Sequence, residues 1–104
     1  MITLDFNKQA IDIKGNPLTA RDKETNEVPV IISEQLGQTL AYSIEKDNGK
    51  IVKYWTWATC LGRGEVLTLD KVDLNTLKQF VEAADIYIWI KAQILEIIET
   101  AKEQ

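Results

Sequence analysis

The chain contains a single cysteine and no histidine among its 104 residues. Cys60 therefore has no second thiol with which to form a disulfide within the chain. Without histidine, the sequence also lacks the commonest general base, the commonest pH-dependent switch and the commonest metal ligand. A structural zinc site, which is built mainly from cysteine and histidine, is excluded on the same ground.

The remaining polar residues form no catalytic constellation. Cys60 lies in a predicted helix rich in aromatic residues and has no base to activate it, so we interpret it as a small buried apolar residue. Glu96 and Glu99 fall on the polar face of a predicted helix. The Gly-Arg-Gly segment at 62–64 is too short for a phosphate-binding loop and lacks its lysine. We therefore predict no catalytic residue, no cofactor and no metal, and a protein that is not an enzyme.

The sequence also has little net charge and no long uninterrupted apolar run. The formal charge of −4 disfavours non-specific binding to nucleic acids and anionic membranes. The longest apolar stretch, in the last predicted helix, is broken by Lys91, Gln93 and Glu96, so it is not expected to span a bilayer. Residues 1–6 lack the cationic start and apolar stretch of a signal peptide. We expect a cytoplasmic protein that makes no membrane contact.

Length and hydrophobic pattern predict one domain over residues 1–104, of the α+β class and mostly helical. Apolar and polar residues alternate in 2–6 and 10–14, as in half-buried strands, and Gly-Asn-Pro at 15–17 is typical of a turn. We predict that these strands form an N-terminal β-hairpin within residues 1–18. Because two strands alone are marginal in water, the hairpin is expected to pack on the helices or to gain another strand. The polar, aperiodic residues 19–27 predict a mobile loop.

Helical periodicity predicts four helices, at residues 29–46, 50–61, 71–84 and 86–102. Pro29 suits the first turn of the first helix, and Gly37 would allow a close contact with another helix. Asp70 or Asp73 is expected to cap the third helix by accepting hydrogen bonds from its free backbone N–H groups. Residues 66–69 have extended character, and whether they add a third strand stays open.

The second predicted helix has two interpretations. Its spacing indicates a buried stripe of Ile51, Tyr54, Trp55, Ala58 and Leu61, with Trp57 beside it. On this interpretation Trp55 is a core residue. The alternative is that the helix grips a single-stranded nucleic acid by stacking and phosphate contacts, using the basic and aromatic residues Lys50, Lys53, Tyr54, Trp55, Trp57, Arg63 and Lys71. The coherent stripe favours the core, so nucleic-acid binding is not expected.

The fourth predicted helix is apolar over most of its circumference. One face, expected to pack in the core, holds Trp89, Ile90, Ile94 and Ile97. The other face is a candidate interface and holds Ile88, Leu95 and Ile98. A helix that is apolar this far round is either central in its domain or covered by a partner, and both remain open. Because a two-fold pairing buries the same strip on both chains, the simplest partner is a second copy.

Several segments together carry a resemblance to a known group of proteins. They are Lys-Tyr-Trp-Thr-Trp-Ala at 53–58, Gly-Glu at 64–65, the run from Leu69 to Glu82, Lys-Ala-Gln-Ile-Leu-Glu at 91–96, and the opening strands followed by Gly-Asn-Pro. The pattern resembles small prophage-encoded bacterial proteins of uncharacterised function, over most of the chain outside residues 19–49. The resemblance implies a phage or mobile-element context and supplies no site residues.

The function expected from the sequence is therefore a non-enzymatic interaction or assembly protein, comparable in size and class with tail-assembly chaperones. The alternative is a small nucleic-acid-binding or regulatory module that uses the lysine and aromatic residues of the second helix.

Overall fold

The computed structural model describes residues 1–21 and 26–101. Within them the chain forms an α+β fold that is mostly helical, which confirms the predicted fold class. The elements in chain order are β1 (Ile2–Leu4), β2 (Thr19–Arg21), β3 (Glu27–Pro29), α1 (Ile32–Ala41), α2 (Asn48–Gly62), β4 (Leu67–Leu69), α3 (Lys71–Ala83) and α4 (Ile88–Thr100). No described helix has the length and apolar character needed to cross a membrane.

The first strand pairs with a distant partner. β1 and β4 are antiparallel, with Ile2 opposite Leu69 and Leu4 opposite Leu67, and these four side chains are buried on one face. The open question about residues 66–69 is thus answered, since 67–69 form a strand. The predicted pairing of residues 2–6 with 10–14 is wrong. Ala10 is buried, but its N–H donates to the Val30 carbonyl and its carbonyl accepts from the Leu18 N–H, each at 2.8 Å, while Ile13 is 98% exposed. The second run therefore forms no ladder with β1.

Residues 10–18 form a turn instead of a predicted strand. The Asp12 side chain accepts hydrogen bonds from the N–H groups of Lys14 and Asn16, and Gly15 has a φ of +83°. Such local side-chain bonds stabilise a turn in place of an extended ladder. The turn is held to α4 by Gln93, whose amide accepts from the N–H of Ile11 at 2.9 Å and donates to its carbonyl at 3.0 Å.

The hairpin of the N-terminal third lies at residues 19–29. β2 pairs with β3 in antiparallel fashion, with Thr19 opposite Pro29 and Arg21 opposite Glu27. The predicted mobile loop at 19–27 is therefore wrong at residues 19–21 and 27, which are in strands, while residues 22–25 lie outside the described part. All six strand residues are exposed, which explains why the sequence shows no apolar alternation here.

Helix α1 is shorter than predicted at both ends. Pro29 belongs to β3, and α1 begins where the N–H groups of Ile32 and Ser33 donate to the carbonyls of Lys8 and Phe6, at 2.9 and 2.8 Å. These backbone carbonyls satisfy N-terminal donors of a helix that has no side-chain cap. At the other end, the Ser43 hydroxyl donates to the Leu40 carbonyl, and α1 stops at Ala41 rather than at residue 46.

The other three helices lie close to their predicted positions. Asp47 caps α2 by accepting from the N–H groups of Gly49 and Lys50, so α2 begins two residues earlier than predicted. Asp70 caps α3 by accepting from the Asp73 N–H at 2.7 Å, which decides between the two predicted caps. α4 begins at Ile88 instead of residue 86 and ends at Thr100; residue 102, the predicted end, lies outside the described residues.

The core lies where β1, β4 and the four helices meet. Its largest fully buried side chains come from β1, the segment after it and all four helices, and are Leu4, Phe6, Ser33, Leu36, Leu61, Leu77, Val81 and Ile94. Helices α1 and α2 pack most extensively against each other. The connection between them, residues 42–47, is short, so they form a helical hairpin whose outer side faces away from this core.

Candidate functional site

Two cavities of about 340 and 330 Å³ adjoin on the outer side of the α1–α2 hairpin, and we call them together the α1–α2 groove. Ala41 and Trp55 line both cavities. The first cavity continues toward the connection between the helices, past Ile44 and Ile51. The second continues along the two helices, past Gly37.

Small residues make up the helix contact beneath the groove. A Cβ atom placed on Gly37 would meet the Ala58 carbonyl oxygen at 3.2 Å and the Leu61 Cβ at 3.4 Å. The absent side chain therefore lets the two backbones approach closely, as expected from the sequence for Gly37. A larger residue in place of Gly37 would need space between the helices that Ala58 and its neighbours now occupy.

Large apolar side chains flank the groove and remain exposed. Trp55 is 61% exposed, Tyr42 and Ile44 are exposed where the chain leaves α1, and Ile51 is also exposed. The prediction that Trp55 and Ile51 lie in the core is therefore wrong, since they stand on the flank of α2 beside the core. We count the two residues as part of the groove.

The core position belongs to Trp57 instead. Trp57 is 5% exposed, and its ring lies 5.7 Å from that of Tyr54, which in turn lies 5.1 Å from the ring of Phe80. Both distances are in the range of favourable aromatic pairs. The buried stripe of α2 thus runs through Tyr54, Trp57, Ala58 and Leu61.

The charged side chains that line the groove are acidic. Glu34 lines the second cavity and Glu45 the first, and no lysine or arginine of the described residues lines either cavity. The Glu45 carboxylate accepts hydrogen bonds from the N–H groups of Lys46 and Asp47 at 2.9 and 3.1 Å. Glu34 makes no ion pair in the described part of the chain. The groove therefore combines apolar walls with two carboxylates.

The candidate interface on the last helix is only partly available. Ile88 is 84% exposed and Leu95 is half-buried against the core, but Ile98 is 5% exposed and belongs to the core. Including Ile98 in the interface is thus wrong. Helix α4 turns Ile90, Ile94 and Ile98 inward, which rotates its buried face relative to the prediction. Trp89 and Ile97, predicted as core, are half-buried at the edge of it.

The basic and aromatic residues of α2 do not share one surface. Tyr54 and Trp57 are buried, so their rings are not accessible for stacking on a base. The Lys53 amine donates to the Asp73 carboxylate at 2.6 Å, and this hydrogen bond raises the pKa of Lys53. The exposed aromatic ring on the helix, that of Trp55, lies instead in a groove lined by carboxylates. This arrangement disfavours contact with phosphates.

Cys60 is placed as a partly buried residue near the end of α2. Its thiol donates to the Val66 carbonyl at 3.3 Å, and burial, together with Glu65, raises the pKa of the thiol. A raised pKa reduces the thiolate fraction, which is opposite to the change that activates a nucleophile. Among the residues described, no three cysteine, aspartate or glutamate side chains are grouped so that they could hold a metal ion.

No protein-family model, no curated protein and no solved structure matches the chain. Interpretation of the α1–α2 groove therefore depends on its own geometry and chemistry.

Proposed function

We propose that this protein is a non-enzymatic interaction protein that binds a helix of another protein in the α1–α2 groove. The observation that carries the proposal is the exposure of Trp55, which lines both of the adjoining cavities. The fold buries Trp57 but leaves the large apolar ring of Trp55 mostly in contact with water, which is unfavourable for an isolated monomer. Covering it removes apolar surface from water.

The composition of the groove is typical of a protein interface. Aromatic residues are enriched among the side chains that contribute most to binding, and here Trp55 and Tyr42 stand together with the exposed Ile44 and Ile51. Contiguous exposed apolar surface rimmed by polar side chains marks interaction sites in soluble proteins. The polar rim of this groove includes Glu34 and Gln38.

A helix fits the groove because the groove lies along a helical hairpin. Side-chain ridges of one helix pack into the grooves of its neighbours, and a third helix laid on α1 and α2 would complete such a packing. Binding of an amphipathic helix to a hydrophobic groove is a recurrent mode of recognition. The cavity beside Gly37 and the cavity beside Ile44 would each receive one apolar side chain.

Helix α4 is a weaker candidate for the interface than the α1–α2 groove. With Ile98 in the core, self-association through α4 would have to depend on Ile88 and the half-buried Leu95. We therefore propose a different protein, not a second copy, as the partner. The proposal includes a cytoplasmic location and an assembly role in a phage or prophage, the context that the resemblance implies. Identification of the genes that flank the coding sequence tests the phage context.

Co-purification from the native host tests the proposal with two matched variants. Trp55→Glu introduces a charge into the groove, and Ile88→Glu introduces the same charge at a still more exposed apolar residue on α4. We expect a partner that is recovered with wild type and Ile88→Glu but lost with Trp55→Glu. Recovery that survives Trp55→Glu and fails with Ile88→Glu would place the interface on α4 and refute the groove. Circular dichroism checks that both variants remain folded.

A further inference from the structure

We infer that the helix bound in the α1–α2 groove is basic, with lysine or arginine flanking its apolar stripe; this inference rests on the proposed function. It follows from the charge of the lining. Glu34 stands at the second cavity and Glu45 at the first, and within residues 1–21 and 26–101 no cationic side chain lines them. Complementary charge at the rim of an interface raises the association rate and excludes partners of like charge.

Glu34 and Glu45 are available to a ligand to different degrees. Glu34 is exposed and makes neither an ion pair nor a side-chain hydrogen bond in the described part of the chain. Glu45 uses one carboxylate oxygen to accept from two backbone N–H groups, which holds the side chain in place. Its second oxygen has no such bond. An incoming ammonium or guanidinium group can therefore pair with both carboxylates without breaking an existing ion pair.

The spacing of the two cavities sets the spacing of apolar side chains on the ligand. Along α2, the first cavity is lined by Ile51, Tyr54 and Trp55 and the second by Trp55, Ala58, Thr59 and Gly62, so the two linings are offset by about five residues. That separation corresponds to about 8 Å at about 1.5 Å per helical residue. Side chains on one face of a bound helix recur after four and after seven residues, at about 6 and 10 Å. The ligand therefore presents large apolar residues four to seven positions apart, on either side of Trp55.

A second copy of this chain does not meet these requirements. Each chain has a net charge of −4, and a two-fold axis through the groove would bring two copies of the Glu34 and Glu45 pair together. Like charges at an interface are unfavourable, and the two chains offer no lysine or arginine in the groove to offset them. The charge of the lining thus selects a basic partner over self-association.

Two synthetic peptides test the inference. Each is about 18 residues long, roughly five helical turns, with leucines at positions i, i+4 and i+7. The peptides differ only in the flanking residues, which are lysines in one and glutamates in the other. By isothermal titration calorimetry at about 150 mM salt, we expect the lysine peptide to bind the full chain about tenfold more tightly, with further tightening at lower salt.

Three variants of the protein locate the effect. Glu34→Gln with Glu45→Gln should reduce the preference for the lysine peptide to about twofold, while glutamine at 45 can still accept the two backbone hydrogen bonds. Glu82→Gln with Glu96→Gln changes the net charge by the same amount at exposed sites outside the groove and should leave the preference intact. Trp55→Ala should weaken binding of the lysine peptide at least about tenfold.

The outcomes separate this inference from the proposed function. Equal binding of both peptides, lost in Trp55→Ala, would overturn the charge inference while supporting the groove. Lysine-peptide binding unaffected by Trp55→Ala would show general attraction to an acidic protein and would overturn it too. If neither peptide binds, the inferred ligand chemistry is wrong, and the groove is then judged by the dependence of partner recovery on Trp55→Glu.

Discussion

Trp55 and Trp57 lie two residues apart on α2, yet their replacement by alanine should have different consequences. Trp57 is 5% exposed and packs on Tyr54. Truncation of a buried tryptophan leaves a cavity and costs about 3–5 kcal/mol of the free energy of unfolding. Trp57→Ala should therefore bring this small domain close to its limit of stability, since such domains have roughly 5–15 kcal/mol in total.

The cost at Trp55 follows from its exposure. A fully covered tryptophan buries about 150–250 Å². Because Trp55 is 61% exposed, only about 60–100 Å² is covered, which corresponds to roughly 1.5–2.5 kcal/mol at about 25 cal/mol/Å². This is an upper value, because unfolded chains already bury part of their apolar surface. The site is also open to water, so no closed cavity forms. We expect Trp55→Ala to cost about 1–2 kcal/mol of the free energy of unfolding and to weaken binding in the groove at least about tenfold.

Urea unfolding followed by far-UV circular dichroism measures both variants without using the tryptophan signal that the mutations remove. The expected result is a difference of about 1–4 kcal/mol in the free energy of unfolding between the two variants, with Trp57→Ala the less stable. The reasoning would be refuted if Trp55→Ala lost as much stability as Trp57→Ala, because that result would place Trp55 in the core and remove the observation on which the groove depends.

Three further predictions concern the contacts around the site and the core. Gln93→Leu should lower the free energy of unfolding by about 1–2 kcal/mol, because it removes both hydrogen bonds to the Ile11 backbone and water replaces them only in part. Unchanged hydrogen exchange at the Ile11 amide would contradict this role. Gly37→Leu should cost about 1–3 kcal/mol in urea unfolding, because its Cβ meets the Ala58 carbonyl oxygen at 3.2 Å; wild-type stability would show that α1 and α2 separate easily. Burial is the first cause of the raised pKa of the Cys60 thiol, so iodoacetamide at about pH 8 should react several-fold more slowly with folded than with urea-unfolded protein, and the folded-state rate should keep rising above about pH 9. Equal rates in the two states would be inconsistent with that pKa shift.

The parts of the fold that were predicted well depend on neighbouring residues. Asp70 caps α3 because its carboxylate is three residues from the N–H it accepts, and Asp47 caps α2 in the same way. Helical periodicity and such caps are contained in a window of a few residues, so α2 and α3 were located within two residues. Where other local bonds compete, as at Ser43 beyond α1, the same periodicity overestimated the helix.

The candidate site was not predicted, because the hydrophobic pattern of α2 does not decide which of Trp55 and Trp57 is buried. At about 100° per residue, Trp55 and Trp57 stand about 80° to either side of the line between Tyr54 and Ala58. The helix alone is therefore symmetric with respect to the two rings. Packing of Tyr54 on the Phe80 ring of α3, with Trp57 against Tyr54, breaks this symmetry. The sequence did contain one signal: Tyr42 lies off the four-residue spacing of Leu36 and Leu40, so it is not part of the buried stripe of α1.

By itself, the sequence determined the α+β class, the number of helices, an aspartate cap at the start of α3, and which residue types are missing for chemistry, because each of these follows from composition or from residues close together in the chain. Only the tertiary structure decided that β1 pairs with β4, that Ile98 points into the core, and that Trp55 rather than Trp57 faces the solvent. Each of these depends on which distant element covers a given face. A local periodicity specifies that a face is apolar but contains no information on what will be packed against it.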